Sequence, residues 1–127
     1  MNALSALLVF VGGGAGSLGR FALGQYLPPT ASGWPWATWW INVAGCTLAG
    51  LLVGALRLLD GGMQQPRALL LVGWCGGFTT FSAFAVETWR LAEQRPKLAL
   101  AYVGTSVVLS LAGCLLGLWL GRVLARP

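Results

Sequence analysis

The chain has 127 residues, of which 57% are hydrophobic and 9% are charged, and its formal net charge is +5 at pH 7. A soluble domain carries about a quarter of charged residues, so the composition excludes an ordinary soluble protein and predicts one integral membrane domain over residues 1–127. The bases lie near the ends of apolar segments, which argues against a nucleic-acid partner. With no histidine and no nucleophile–base constellation, we do not expect an enzyme.

A membrane-spanning helix needs about 20 mainly apolar residues, and the chain contains four such segments. The sequence therefore predicts an all-α integral membrane protein surrounded by a lipid bilayer. The expected helices cover about residues 3–27, 35–56, 68–89 and 98–120.

The first predicted helix contains the small-residue run Gly12-Gly13-Gly14-Ala15-Gly16. Small residues four apart, such as Gly12 and Gly16, let two helix backbones approach closely in a membrane. We therefore expect this helix to pack tightly against another. Arg20 lies one turn after Gly16, and two interpretations are open. Either its side chain extends to the interface, or it is a cation at the mouth of an anion path.

The second predicted helix begins with the kind of tryptophan cluster found at membrane interfaces: Trp34, Trp36, Trp39 and Trp40. Asn42 lies deeper and shares a helix face with Thr38, one turn earlier. A buried amide is costly in hydrocarbon unless it has hydrogen-bond partners. Asn42 therefore indicates either an interhelical hydrogen bond or a donor that faces a polar path.

The third segment contains residues that favour a helix break. Gly76-Gly77 costs about 1 kcal/mol of helix propensity per glycine relative to alanine, and Thr79, Thr80 and Ser82 add hydroxyls. Phenylalanines recur at every third residue: Phe78, Phe81 and Phe84. Freed backbone groups in a membrane need partners, so we expect residues 76–80 to be a break that presents backbone groups to something bound. The alternative is a small-residue packing notch.

The last predicted helix carries Tyr102, Ser106 and Ser110 at four-residue intervals, which place the three hydroxyls on one face. Such stripes more often join helices than conduct ions, but this one accompanies a broken helix. The cysteines Cys46, Cys75 and Cys114 fall within apolar segments. We interpret them as small buried residues, not as disulfide partners or metal ligands.

Basic residues are balanced between the two ends of the predicted spans. Four lie on each side: Arg57, Arg67, Arg122 and Arg126 on one, and Arg20, Arg90, Arg95 and Lys97 on the other. The second side has three if Arg20 is counted as lying within the membrane. Because an excess of bases sets the orientation of a membrane protein, this balance predicts insertion in both orientations. The natural assembly is then an antiparallel, dual-topology homodimer, in which two helix breaks could meet at the midplane.

Three stretches together resemble one family. Residues 76–84 (GGFTTFSAF), residues 12–21 (GGGAGSLGRF) and residues 41–45 (INVAG) are similar to signatures of the Fluc (CrcB-type) fluoride channels. The resemblance extends over all four predicted helices. Two departures are visible, since Phe21 stands where the family often has tyrosine and Ala83 where threonine is frequent.

The resemblance implies a fluoride-selective channel of the bacterial inner membrane that lets fluoride leave the cytoplasm and protects the cell from its toxicity. It further implies a homodimer with two antiparallel pores and a structural Na⁺ on the dimer axis. By motif position, the backbone carbonyls of Gly76 and Thr79 would hold this ion. The residues implied along or near the fluoride path are Asn42, Phe81, Phe84, Thr80, Ser82, Tyr102, Ser106 and Ser110, with Thr38 beside Asn42 and Arg20 at the mouth.

These residue types suit such a path. Fluoride is small and strongly hydrated, so a pore must replace its water with hydrogen-bond donors. The Asn42 amide and the hydroxyls can donate, and aromatic ring edges carry the positive end of the ring quadrupole. Arg20 could attract an anion through space, and backbone carbonyls are suitable ligands for sodium.

A small multidrug transporter is the alternative, because it is also a short four-span protein. That chemistry requires an ionisable carboxylate deep in the first helix, where this chain has no acid. Glu87 is the only acid within a predicted span, and it lies near the end of that span.

Overall fold

The computed structural model describes residues 2–28, 30–56 and 64–126. Within these ranges, four helical spans are long and apolar enough to cross a membrane: Ala3–Tyr26, Trp36–Leu56, Gln64–Gln94 and Pro96–Leu124. The all-α, four-span class predicted from the sequence is therefore confirmed. Of the loop between the second and third spans, Arg57 and Asp60 lie outside the described residues.

The third span consists of two helices, so five are named here. They are α1 (Ala3–Tyr26), α2 (Trp36–Leu56), α3 (Gln64–Pro66, Arg67–Cys75 and Gly76–Phe78 in succession), α4 (Phe81–Gln94) and α5 (Pro96–Leu124). The middle section of α3 has the wider hydrogen bonding of a π-helix. The third and fourth spans continue beyond the apolar segments at 68–89 and 98–120, because polar residues at a helix end can extend into the interface.

The break in the third span lies at Thr79 and Thr80, after the glycine pair. Thr79 has a ψ of 156° and Thr80 a φ of −151° with a ψ of 119°, so both are extended. Gly76 and Gly77 remain helical, and the expectation that they form part of the break is wrong. Gly77 packs so closely on α1 that a Cβ on it would overlap the Gly13 carbonyl oxygen. Such tertiary packing can keep a turn helical although its residues have low helix propensity.

Close backbone contact joins α1 to α3. A Cβ on Gly12 would overlap the carbonyl oxygen of Leu69, and one on Gly16 would overlap that of Trp74. The tight packing predicted for the first helix is thus confirmed. This packing therefore holds the end of α3, where the break begins, against α1.

A second glycine seam joins α2 to α5 and was not anticipated. Here too, an added Cβ would overlap a backbone carbonyl oxygen of the facing helix at each of four positions: Gly50, Gly54, Gly117 and Gly121. Within each helix these positions are four residues apart, the spacing that places small residues on one face. The seam brings Asn42 of α2 near Ser106 and Ser110 of α5, and these three residues line one cavity.

Candidate ion pathway at the helix break

Asn42 holds the interrupted backbone through two hydrogen bonds. Its Nδ2 donates to the Thr80 carbonyl oxygen at 3.0 Å, and the Thr80 N–H donates to its Oδ1 at 2.9 Å. The side-chain amide thus gives Thr80 partners that a continuous helix would have supplied. An interhelical bond was one of the two interpretations of Asn42, and it is present. Because an amide nitrogen carries two hydrogens, one N–H remains for a further partner.

The interruption also frees main-chain oxygens. Since the Thr80 N–H donates to Asn42, it is not available to the Gly76 carbonyl four residues earlier. Gly76 is exposed, Thr79 is partly exposed, and the Thr79 hydroxyl donates back to the Cys75 carbonyl at 2.9 Å.

These oxygens fit the sodium ion that the resemblance implies. Unwound backbone carbonyls are ligands that Na⁺ accepts in membrane proteins. Among the described residues, no group of three or more His, Cys, Asp or Glu side chains could hold a metal. The available donors therefore match a monovalent hard cation better than a divalent or soft one.

Glu87 of α4 belongs to the site but was not predicted. Its Oε1 accepts from Thr38 Oγ1 at 2.7 Å, and its Oε2 accepts from the Tyr102 hydroxyl at 2.8 Å. Thr38 and Tyr102 are 6% and 0% exposed, so the bonds join three helices in a buried setting. A carboxylate within a membrane normally has such partners. The sequence signal was available, because Glu87 is the only acid within a predicted span, but the predicted end at residue 89 made it look interfacial.

Two cavities flank the break. The first, called here the arginine cavity, has a volume of about 440 Å³ and is lined by Arg20, Thr38, Thr80 and Glu87 among others. The second, the serine cavity, has a volume of about 260 Å³. Its lining residues are Asn42, Cys46, Thr79, Thr80, Phe81, Phe84, Ser106, Val107 and Ser110. Thr80 lines both cavities, so the Asn42–Thr80 pair lies between them.

The three residues of the hydroxyl stripe on α5 lie in two different surroundings. Tyr102 bonds Glu87 and lines neither cavity, whereas Ser106 and Ser110 line the serine cavity. Ser106 is 4% exposed, and its Oγ has no hydrogen-bond partner among the described residues. Ser82 lines neither cavity, although its Oγ lies 3.2 Å from Thr80 Oγ1. A buried hydroxyl without a partner is costly, and in the α5 stripe this cost falls on Ser106.

The two phenylalanines lie at the edge of the serine cavity. Their ring centroids are 5.6 Å apart, and the Phe84 ring lies 5.3 Å from that of Tyr102. Phe81 is 80% exposed. The serine cavity therefore has an aromatic wall, one ring of which faces outward from the chain.

The fold and site define a multi-pass membrane protein with a candidate ion pathway at a broken helix. Residues 7–118 match the family model described as CrcB-like protein, Camphor Resistance. The chain belongs to this CrcB family and is a multi-pass bacterial membrane protein.

Curated relatives are similar over nearly their full length. The Fluoride-specific ion channel FluC of Erythrobacter litoralis is 41% identical over 128 residues, covering 95% of this chain and 94% of the relative. That of Caulobacter sp. (strain K31) is 44% identical, covering 91% and 93%. The Fluoride-specific ion channel FluC 2 of Bacillus subtilis is 39% identical, covering 92% and 87%.

Proposed function

We propose that this protein is a fluoride-selective ion channel that lets fluoride leave the cytoplasm down its electrochemical gradient and protects the cell from fluoride toxicity. The observation that carries the proposal is the Asn42–Thr80 pair between two cavities, each of which has polar side chains in part of its wall. It occurs in a family whose curated relatives are named fluoride-specific ion channels. Such a protein is not an enzyme, and membership of the CrcB family leaves the multidrug-transporter alternative without support.

In this proposal, fluoride passes from the arginine cavity to the serine cavity beside Thr80. Arg20 attracts the anion. The free Asn42 N–H and the Ser106 and Ser110 hydroxyls then replace its water. The negative charge of Glu87 would oppose an anion, and Arg20, which lines the same cavity, supplies the opposite charge.

Flux measurements test the function directly. Purified protein in liposomes loaded with fluoride should release it quickly, while liposomes loaded with chloride should retain their ion. Comparable release of the two halides would contradict fluoride selectivity. No release of either ion would contradict channel function altogether.

We further propose an antiparallel, dual-topology homodimer with two pores. The outward-facing Phe81, which is 80% exposed, supports a second chain that covers the open edge of the serine cavity. A cysteine introduced at Ala31, with the native cysteines replaced, tests the topology. An impermeant thiol reagent should label it from both sides of the membrane in separate populations, and labelling from one side alone would rule out dual topology.

In the proposed dimer, the Gly76 and Thr79 carbonyls of both chains hold one structural Na⁺ on the two-fold axis. A Cβ on Gly76 would meet no atom within 4 Å in a single chain, and the same is true of Gly14. Gly76→Val should therefore weaken the dimer through the second chain, whereas Gly14→Val should not. Sedimentation of both variants with and without Na⁺ tests this. Equal dimerisation would contradict the axial position of Gly76.

A further inference from the structure

Cys46 lies in an unexpected place for a structural cysteine. It follows Asn42 by four residues on α2, so the two side chains share a helix face, and both line the serine cavity. Cys46 is partly exposed, whereas Cys75 is 4% exposed. Neither Cys75 nor Cys114 lines this cavity. Cys114 is partly exposed as well, so the interpretation of all three cysteines as buried residues is wrong for Cys46 and Cys114, of which Cys46 lines this cavity.

The space next to Cys46 has room for a small reagent. Its volume of about 260 Å³ exceeds the roughly 30 Å³ that one water occupies in the liquid. Ser106 contributes a buried hydroxyl without a hydrogen-bond partner among the described residues, and Ser110 adds a second hydroxyl. The rest of the wall is largely apolar, with Phe81, Phe84 and Val107, so the space is suited to a small neutral reagent.

We infer that Cys46 is a thiol-modification site within the ion pathway, and that an adduct on its sulfur obstructs the serine cavity. The position of the modification site is inferred from the cavity that Cys46 lines, whereas the effect of the adduct on fluoride flux rests on the proposed function. The reagent class comprises small neutral thiosulfonates and, by the same exchange, small disulfides. A serine at this position would take no such adduct, so sensitivity to these reagents depends on the thiol.

The chemistry with methyl methanethiosulfonate is a simple exchange. The Cys46 thiolate attacks the methylthio sulfur, and a Cys46–S–S–CH₃ bond forms as the S–S bond of the reagent breaks. Methanesulfinate leaves with the electron pair, and the proton of the thiol passes to water. Because the thiolate is the reacting form, modification should become faster as the pH rises.

The experiment measures the adduct and the flux on the same proteoliposomes. Peptide mass mapping after brief treatment with methyl methanethiosulfonate should locate the adduct on Cys46 before Cys75 or Cys114. Fluoride efflux should fall by about tenfold, because the adduct occupies space and covers donors that the ion requires. Dithiothreitol removes the adduct and should restore the flux.

Matched variants assign the effect to one thiol. Cys75→Ser and Cys114→Ser should keep the full sensitivity to the reagent. In Cys46→Ser and Cys46→Ala, the ratio of treated to untreated flux should be close to one, whatever their untreated flux. If Cys46→Ser is still inhibited, the modification that matters lies elsewhere and the inference is wrong.

The two readouts separate this inference from the proposed function. Preferential labelling of Cys75 or Cys114 would show that the cavity does not admit the reagent to Cys46, and it would overturn the site. Labelled Cys46 with unchanged fluoride efflux would show that the serine cavity is not on the pathway. If untreated protein conducts no fluoride, the proposed function fails, while the mass map still decides whether Cys46 is the modified thiol.

Discussion

The glycine seam between α2 and α5 and the polar contacts at the break of the third span meet different physical requirements. Along the seam, backbone lies against backbone, as at Gly117 against Thr47, and any added atom interferes. At the break, contact depends on which atom faces which, as in the two bonds between Asn42 and Thr80. The seam therefore limits the size of the side chain at each position, whereas the break requires a donor or an acceptor at a particular atom.

A large effect on stability is expected from adding a single methyl group to the seam. The Cβ of Gly117→Ala would overlap the Thr47 carbonyl oxygen and lie 2.8 Å from the Leu51 nitrogen. Overpacking typically costs about 1–3 kcal/mol, and occasionally more, which exceeds the gain of about 1 kcal/mol in helix propensity. The free energy of unfolding in detergent, and the yield of monodisperse protein, should both fall.

Gly14→Ala provides the control for this prediction, because a Cβ on Gly14 meets no atom within 4 Å. It makes the same chemical change in a helix and should leave the stability equal to, or slightly above, that of the original chain. If the Gly117 and Gly14 variants unfold with the same free energy, the seam is not closely packed in the protein.

The largest effect on flux is expected at the break from Asn42→Asp, a change in chemistry without a change in size. The aspartate still accepts from the Thr80 N–H, but its other oxygen replaces the Nδ2 that donates to the Thr80 carbonyl at 3.0 Å. Two acceptors then face each other, and the donor proposed for fluoride is gone. Fluoride efflux should fall about 100-fold, equivalent to about 2.7 kcal/mol, while gel filtration still shows an assembled protein. Efflux equal to that of the original chain would mean that Asn42 does not line the pathway.

The contrast between seam and break also explains what the sequence could predict. Small residues at fixed spacing are legible in the sequence, so the tight packing of Gly12 and Gly16 was predictable. The partner of Asn42 was not, because a hydrogen bond between residues 38 positions apart leaves no mark in local periodicity. Likewise, Gly76 and Gly77 have low helix propensity, but packing of Gly77 against Gly13 keeps that turn helical, since tertiary contacts override propensity.

Glu87 and Cys46 show a second limit of sequence interpretation. Both were assessed by their position within an apolar segment, which gives depth in the membrane but not direction around the helix axis. The structure supplies that direction: Glu87 lies between two buried hydroxyls, and Cys46 lines the serine cavity. Helix periodicity relates residues on one helix to each other, but only packing defines which face meets a cavity.

A smaller effect is expected at Phe81, where the proposed role concerns the ion and not the packing of a single chain. Phe81→Ile keeps an apolar side chain but removes the positive ring edge, and aromatic interactions of this kind contribute about 0.5–1.5 kcal/mol. Fluoride efflux should fall up to about tenfold with little change in protein yield. Phe10→Ile is the control, since Phe10 is 76% exposed on α1, away from both cavities. Equal efflux from the two variants would remove Phe81 from the pathway.

A further effect on stability is expected at Glu87, whose carboxylate accepts one hydrogen bond from each of two hydroxyls. Thr38→Val and Tyr102→Phe each remove one hydrogen bond to it. Interhelical hydrogen bonds in membranes average about 0.6 kcal/mol and reach about 1.7 kcal/mol, and a charged acceptor favours the upper part of that range. Each variant should therefore lower the free energy of unfolding by about 1–2 kcal/mol.

The double variant then determines whether the two bonds act together. Removing both donors leaves the Glu87 carboxylate without either of these partners inside the membrane, which costs more than the two single losses combined. A double-mutant cycle should therefore give a loss larger than the sum, whereas strict additivity would show that water or another donor reaches Glu87 after the first change.

Glu87→Gln distinguishes charge from geometry, because hydroxyls can rotate to accept from an amide as well as donate to it. The free energy of unfolding of Glu87→Gln should lie closer to that of the original chain than the value for the double variant does. A loss as large as that of the double variant would mean that the negative charge, not the pair of hydrogen bonds, holds the three helices together.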